Sequence, residues 1–453
     1  MKELTGKDLA HVVVEPPGPR SRELAKRLRE CECRDVTYVS DDFPVFFERG
    51  TGANLVDVDG NVYVDLSGAF GVAAAGHSNP RVVEALAHQA GRLLHGMGDV
   101  HPTEGKVLLA EALCEVTPGK GSKRVILASS GAEAVESAIK TAAIATGKPG
   151  VISFTGAYHG LTYGALALTD RDHFREPFVK QLGSFARRVP YAYCYRCPLN
   201  LTYPECETAC LSFVEEVLDA EGGGEIGAVI VEPIQGRGGE VPAPLGWLAD
   251  LRELCDRRRL LLIADEIFTG FGRTGRWFAC DHAGVVPDLI CVGKGMSSGF
   301  PISACIGKAE VMDRWPECTG EAIHTSTFLG HPTGCAAALA SIQELREHKL
   351  VERAAALEKP LGAMLNAIRD RAGGRIGDVR GKGLMWGLEC VDEAGEPASK
   401  IAAQTVAGAL RRGVVLLAGG PANNVLSFTP PLVIEKEQLE FALGIVAEAL
   451  IEA

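Results

Sequence analysis

"RLLLIADEIFTGFGRTGRWFACDHAGVVPDLICVGKGMSSG", residues 259–299, contains two short apolar runs, and each stops at one charged residue. The first, 260–264, stops at Asp265; the second, 289–292, stops one glycine later at Lys294. Continuous apolar runs of this length, without alternation, belong to strands buried on both faces. Open α/β sheets bind their ligands outside the carboxyl ends of such strands, which is where both charges fall.

Further runs repeat the scheme: "RVILA" (124–128), "GVISF" (150–154) and "IGAVIVEP" (226–233). The first passes through Ser129-Ser130-Gly131 into "AEAVESAIKTAAIATG", where Val135, Ile139 and Ala142 or Ala143 share one face at helical spacing. Apolar strands spaced by helices predict an α/β fold with a mostly parallel central sheet covered on both faces. The two ends of the chain differ from this middle. "TGANLVDVDGNVYVDL" (51–66) alternates around Asp59-Gly60, a hairpin signal. After about residue 335 come long helical stretches, and "VRGKGLMWGLE" (379–389) and "NNVLSFTPPLVI" (423–434) read as short antiparallel strands. The expected organisation is a large domain over 78–334 and a small α+β domain assembled from 1–77 and 335–453.

Composition narrows the class. With 46% hydrophobic and 23% charged residues, the 453-residue chain has the balance of a globular protein, and its 53 glycines suit tight turns around a cofactor. A net charge of −12 argues against a nucleic-acid partner, which calls for a basic face. No apolar run is long enough to span a membrane, and the first twenty residues lack a secretory pattern, so a cytoplasmic location is expected. Of 14 cysteines, Cys114, Cys255, Cys291, Cys305, Cys335 and Cys390 lie inside apolar segments, as thiols do in a reducing compartment. Cys194, Cys197, Cys206 and Cys210 form a cluster that either wraps a zinc or iron–sulfur centre or only packs; the spacing fits no standard pattern, and no metal is assigned.

Three features carry chemistry. Lys294 leaves a buried strand into a glycine-rich loop, where burial lowers an amine's pKa and makes it a nucleophile able to form a Schiff base. Asp265 suits a positive charge such as a pyridinium nitrogen. Ser129-Ser130-Gly131 turns a strand into a helix whose free N–H groups make a phosphate site. A lysine for an aldehyde, an acid for a ring nitrogen and amides for a phosphate together point to pyridoxal phosphate.

On these residues, and on "DVDGNVYVDLSGAFGVAAAGHSNPRVVEA", "SSGAEAVESAIK", "AYHG", "VEPIQGRGG" and "TSTFLGHPTGCAAALA", the chain resembles the class III (ω, or subgroup II) aminotransferases of the fold-type I pyridoxal-phosphate enzymes, over nearly its whole length. The resemblance implies that Lys294 holds the cofactor aldehyde and that Asp265 pairs with its ring nitrogen. Gly131 and Ala132 would give N–H groups to the phosphate, with the Ser130 hydroxyl nearby. Tyr158 would stack on one ring face and Ile267 on the other, with Glu232 and His159 near the ring. Thr327 would reach the phosphate of a neighbouring subunit, implying a homodimer or a dimer of dimers.

The departures concern substrate. Relatives acting on 4-aminobutyrate or acetylornithine usually carry arginine where this chain has Leu161, and a Glu–Arg pair where it has Arg237 and Ser427. An arginine forks onto a carboxylate and a leucine cannot. The exchange predicts a net positive pocket wall with Arg237 as the carboxylate-binding residue, unless Arg237 points to solvent and pairs with a surface acid. Leu161 and Phe70 would make the donor side apolar, and Phe268 replaces a glutamine that often bonds the cofactor. The expected activity is ping-pong transfer from a primary amine or ω-amino compound to an α-keto acid, pyruvate or 2-oxoglutarate. An amino-acid racemase or epimerase and an amino-sugar aminotransferase are the alternatives on the same scaffold.

Overall fold

A computed structural model describes residues 4–40, 43–220 and 222–453. Near the start, β1 (Phe47–Thr51), β2 (Asn54–Asp57) and β3 (Val62–Asp65) form an antiparallel meander. Its second turn is built on Asp57, whose carboxylate accepts from the N–H groups of Asp59 at 3.0 Å and Asn61 at 2.8 Å. Gly60 takes φ +91°, the left-handed backbone that glycine adopts at little cost.

The centre is a seven-stranded sheet. Its strands are β4 (Lys123–Ala128), β5 (Gly150–Phe154), β6 (Ala186–Val189) and β7 (Ile226–Val231), then, after the short pair β8 (Ile234–Gln235) and β9 (Val241–Pro242), β10 (Leu261–Asp265), β11 (Leu289–Val292) and β12 (Ser303–Lys308). The order is β4-β12-β11-β10-β7-β5-β6. Only β12 runs against its neighbours. The reason is length: the link from Val292 to Ser303 is too short for a crossover helix, so the chain must turn back.

Both faces of the sheet are buried, as the unbroken apolar runs require. Along β7, Ala228 and Ile230 face the helix Gly131–Thr146 through Ala134, Val135, Ala138 and Ile139. Val229 and Val231 face the opposite layer, which holds Trp247, Leu251 and Leu254 of the helix Leu245–Arg258. Trp247 is 1% exposed and packs edge-on against Phe154 and Tyr191, both at 5.3 Å between ring centres. Trp247→Ala should lower the free energy of unfolding by about 3–5 kcal/mol in chemical denaturation, because the cavity it leaves lies under a sheet that cannot collapse onto it.

The C-terminal segment adds β13 (Ile376–Lys382), β14 (Met385–Cys390), β15 (Val414–Val415), β16 (Leu417–Gly419) and β17 (Val425–Phe428). Four of these form an antiparallel sheet in the order β13-β14-β17-β16, while β15 joins β3 in parallel, so the chain's two ends share a sheet. No helix among the described residues is long and apolar enough to cross a membrane. All 14 cysteines are free. Cys194, Cys197, Cys206 and Cys210 line one cavity of about 20 Å³ with Trp247. Among the described residues no group of three or more His, Cys, Asp or Glu side chains is placed to hold a metal ion. Burial, reinforced by the neighbouring thiols, pushes Cys210 up to about 11, so this thiol stays protonated.

Candidate active site

The carboxyl ends of β5, β7, β10 and β11 open onto a cavity of about 310 Å³. Gly131, Ala132, Tyr158, His159, Leu161, Glu232, Arg237, Asp265, Ile267, Phe268 and Lys294 line it. Residues read from runs scattered over more than 160 positions of sequence thus meet at the one sheet edge where parallel strands leave backbone groups and loops for a ligand.

Asp265 ends β10 and is 4% exposed. One of its oxygens accepts from the Ile267 N–H at 3.2 Å, and the other lies 2.7 Å from His159 Nδ1. Burial pulls the His159 imidazole down, but the hydrogen bond and charge of Asp265 outweigh it and hold His159 above its ordinary pKa. The backbone that carries the ring is fixed by Thr169, which accepts from the His159 main-chain N–H at 2.9 Å and donates its hydroxyl to the Gly160 carbonyl at 3.0 Å. His159 Nε2 is buried without a partner. Glu232, at the end of β7, accepts from the N–H groups of Tyr158 at 2.9 Å and Gly236 at 3.0 Å, and burial pushes its carboxyl up to about 7.

Lys294 follows Gly293 at the end of β11, with φ +40°, a backbone that costs a side-chain-bearing residue on the order of 1 kcal/mol. Its Nζ stands 4.0 Å from the centre of the Phe268 ring. Burial lowers this amine to about 8, against the pull of Asp265 and Glu232 and with the push of Arg237 and Arg273. Phe268 is held by two glycines: a Cβ on Gly71 would meet the ring at 2.4 Å and one on Gly236 at 2.1 Å. The helix Gly131–Thr146 is capped by Ser130, whose hydroxyl accepts from the Glu133 N–H at 3.3 Å. That leaves the Gly131 and Ala132 amides, at the positive end of the helix, to line the cavity.

The substrate-side residues divide. Arg237 does not pair with a surface acid: its guanidinium lies 5.4 Å from the Tyr158 ring centre and 5.7 Å from that of Phe174, with no ion pair among the described residues. Its backbone is held where the Gly420 N–H donates to the Arg237 carbonyl at 3.1 Å. Leu161 lines the main cavity, half exposed. Phe70 and Ser427 line a side cavity of about 30 Å³ that shares Arg237 and Phe268 with the main one. The wall there holds a third group, Glu240, buried to 2% exposure and accepting from the Ser427 hydroxyl at 2.5 Å; burial pushes its carboxyl up to about 8, so the Arg237 charge is not cancelled at neutral pH. The sequence reading overlooked Glu240; its only local signal is an acid directly after Gly238-Gly239. Ser130 and Thr327 are exposed, and Thr327 does not line the cavity that holds Lys294.

Lys294, Asp265 and the two helix amides ask for a ligand with an aldehyde, a basic ring nitrogen and a phosphate. The residues present fit pyridoxal phosphate: the amine is buried and held close to neutrality, the carboxylate is fixed at both oxygens, and the amides have no partner in the helix ladder. Sheet and site together define a fold-type I pyridoxal-phosphate transferase. The family description "Aminotransferase class-III" matches residues 37–450. The chain is 39% identical to a 4-aminobutyrate aminotransferase of Mycobacterium leprae, covering 97% of each chain. It is 34% identical to an alanine/serine racemase of Pyrococcus horikoshii, covering 97% of this chain and 92% of that one. It superposes on the ω-transaminase of Pseudomonas jessenii in complex with PMP with a TM-score of 0.88 at 29% identity, covering 95% and 98%. The chain belongs to the class-III aminotransferase family, and its cofactor is pyridoxal phosphate.

Proposed function

We propose that this aminotransferase takes its amino group from a primary amine or ω-amino compound and passes it to an α-keto acid, pyruvate or 2-oxoglutarate, with Arg237 as the carboxylate-binding residue. The observation that carries the reading is Arg237 itself: it is the cation of the cavity besides Lys294, without an acid partner, set over two aromatic rings beside the apolar Leu161. In a ping-pong cycle donor and acceptor occupy the site in turn, so one arginine serves both. Transfer to a keto acid is preferred over racemisation because the similarity to an aminotransferase, at 39% identity, exceeds that to the racemase, at 34%, and an amino-sugar donor would leave Arg237 without a carboxylate to bind.

Lys294 and Asp265 are read as the catalytic pair, with Gly131, Ala132 and Ser130 at the phosphate, Tyr158 and Ile267 on the two ring faces, and His159 and Glu232 supporting. Pyridoxal phosphate supplies an aldehyde for the amine and an electron sink for the carbon that loses its proton. The chain's own residues do the rest. Asp265, fixed by His159 and the Ile267 N–H, keeps a negative charge where a ring nitrogen must stay protonated. The Lys294 amine, near neutrality at about 8, is poised to take a proton at Nζ and return it. Phe268, wedged between Gly71 and Gly236, is held with its ring centre 4.0 Å from the Lys294 amine.

The active unit we propose is a homodimer or dimer of dimers. Thr327 and Phe328 are exposed outside the cavity, where a neighbouring subunit's site could receive them. A large domain over 78–334 between small-domain segments 1–77 and 335–453 is supported by the pairing of β15 with β3. A cytoplasmic location is supported by the free cysteines. The test is a panel of amines added to the holoenzyme: the visible absorbance bleaches with a substrate donor and returns with pyruvate or 2-oxoglutarate. No bleaching with any amine or ω-amino acid of the panel, while α-amino acids bleach the enzyme, would overturn the donor reading. Arg237→Met should lower kcat/KM for the keto acid about tenfold to a hundredfold, and that for an amine without a carboxylate by much less, in steady-state assays.

A further inference from the structure

Glu240 is a buried acid that the transfer chemistry leaves unused. It is buried to 2% exposure at φ +50°, with its N–H donating to the Gly236 carbonyl at 3.1 Å. Arg380 fixes the preceding peptide, donating to the Gly239 carbonyl at 2.9 and 2.7 Å. One carboxylate oxygen accepts from Ser427; the other, Oε2, is buried with no partner. Native interiors seldom leave such an atom orphaned, because a buried polar atom without a hydrogen bond forfeits the full cost of its desolvation. Here the cavity of about 30 Å³ beside it has room for a group the size of an ammonium or a water. That cavity and the Lys294 cavity share Arg237 and Phe268 in their linings, so Glu240 lies on the far side of the same two residues that bound the Lys294 cavity.

We propose that Glu240 and Arg237 form a subsite for the zwitterionic head of an α-amino acid, with Arg237 taking the carboxylate and Glu240 the ammonium, so that the donor is a diamino acid whose distal amine reaches Lys294. This rests on the aminotransferase reading above and deepens it, since a simple ω-amino acid would satisfy Arg237 and leave Glu240 orphaned. Ser427 belongs to the same device: its hydroxyl holds one carboxylate oxygen and leaves the second free for the incoming ammonium. Burial pushes the empty carboxyl up to about 8, while Ser427, Arg380 and Arg237 pull it down and Glu232 pushes with burial. An ammonium arriving at Oε2 pulls in the same direction as the arginines, which favours the carboxylate when substrate is bound.

The experiment compares pairs of donors that differ only in the α-ammonium: 5-aminopentanoate against 2,5-diaminopentanoate, and 6-aminohexanoate against 2,6-diaminohexanoate, with 2-oxoglutarate as acceptor. The wild-type enzyme should show kcat/KM at least about tenfold higher for the diamino acid of at least one pair, as expected of a charge-assisted hydrogen bond. Glu240→Gln keeps an acceptor for Ser427 but turns an amide N–H₂ toward the ammonium, and should lower that ratio at least about tenfold. Equal kcat/KM within both pairs for the wild type would overturn the subsite and leave the aminotransferase reading standing; this comparison requires no variant to fold. A fall by the same factor for both members of a pair in Glu240→Gln would overturn it too, showing a purely structural acid. Should no donor bleach the holoenzyme, the functional reading fails first. Calorimetric binding of the same pairs to the Lys294→Ala protein then decides the subsite alone, with tighter binding of the diamino acid expected and equal binding overturning it.

Discussion

Lys294→Ala should leave no measurable transamination, a loss of at least about 10⁴-fold in kcat. The size follows from two roles converging on one atom: Nζ is the nucleophile that the cofactor aldehyde needs and the base that moves the substrate proton, and each role alone is worth orders of magnitude. A residue that only supported the fold would lose activity by unfolding, and here the sign of the stability change separates the cases. Burial lowers the Lys294 amine from 10.5 to about 8 in the folded protein, so between these values the unfolded chain binds the extra proton. Stability of the cofactor-free protein therefore rises with pH through that window, and below it the buried amine is a constant penalty. Removing the amine lifts the penalty. Lys294→Ala, freed of cofactor, should be at least as stable as the wild type at pH 7 in chemical denaturation while failing to gain visible absorbance from added pyridoxal phosphate. Lys294→Arg, which keeps a charge without a usable nucleophile, should be equally inactive. Turnover that survived Lys294→Ala would remove the basis of the cofactor assignment.

The parts of this site legible in the sequence are those set by strands buried on both faces. Such strands must be apolar throughout, so β10 and β11 stand out as runs, and the first polar residue after each, Asp265 and Lys294, falls at the ligand edge. Legibility fails where position depends on contacts distant in sequence. β6 carries Arg187 and Arg188 at the sheet's edge, where one side is wet, and so lacks the apolar signature. β12 is apolar but has no helix before it to announce a new strand. The His159–Asp265 bond joins residues 106 positions apart, and the Ser427–Glu240 bond residues 187 apart. The exchange at Arg237 and Ser427 is visible as two substitutions, but its meaning depends on Glu240, which no spacing rule connects to β17. Two residues stand out in the sequence at a place where the fold assembles three.

Asp265→Asn should reduce kcat of the amine half-reaction by about 10²–10³-fold, the range found when one fixed electrostatic partner is removed from a site closed to water. Asparagine has nearly the same shape and retains an acceptor for the Ile267 N–H, so a structural role would survive the change; what is lost is the charge. Two consequences follow from that loss alone. First, a ring nitrogen beside a neutral amide no longer has an anion to favour its protonated form, so its capacity to accept electrons falls. Second, His159 is held above its ordinary pKa only because Asp265 outweighs burial, and with Asp265 neutral the burial is unopposed except by the more distant Glu232. The imidazole should then titrate below the ordinary histidine range. Proton NMR of the His159 ring, followed against pH in wild type and variant, reads this directly, and a side chain that merely packed would not move it. Asp265→Ala should share the catalytic loss and add a loss of stability, because it strips partners from both the Ile267 amide and His159 Nδ1. A kcat within tenfold of wild type for Asp265→Asn would show that the ring is not governed by this carboxylate, and the electron-sink role would then have to be placed elsewhere in the cavity.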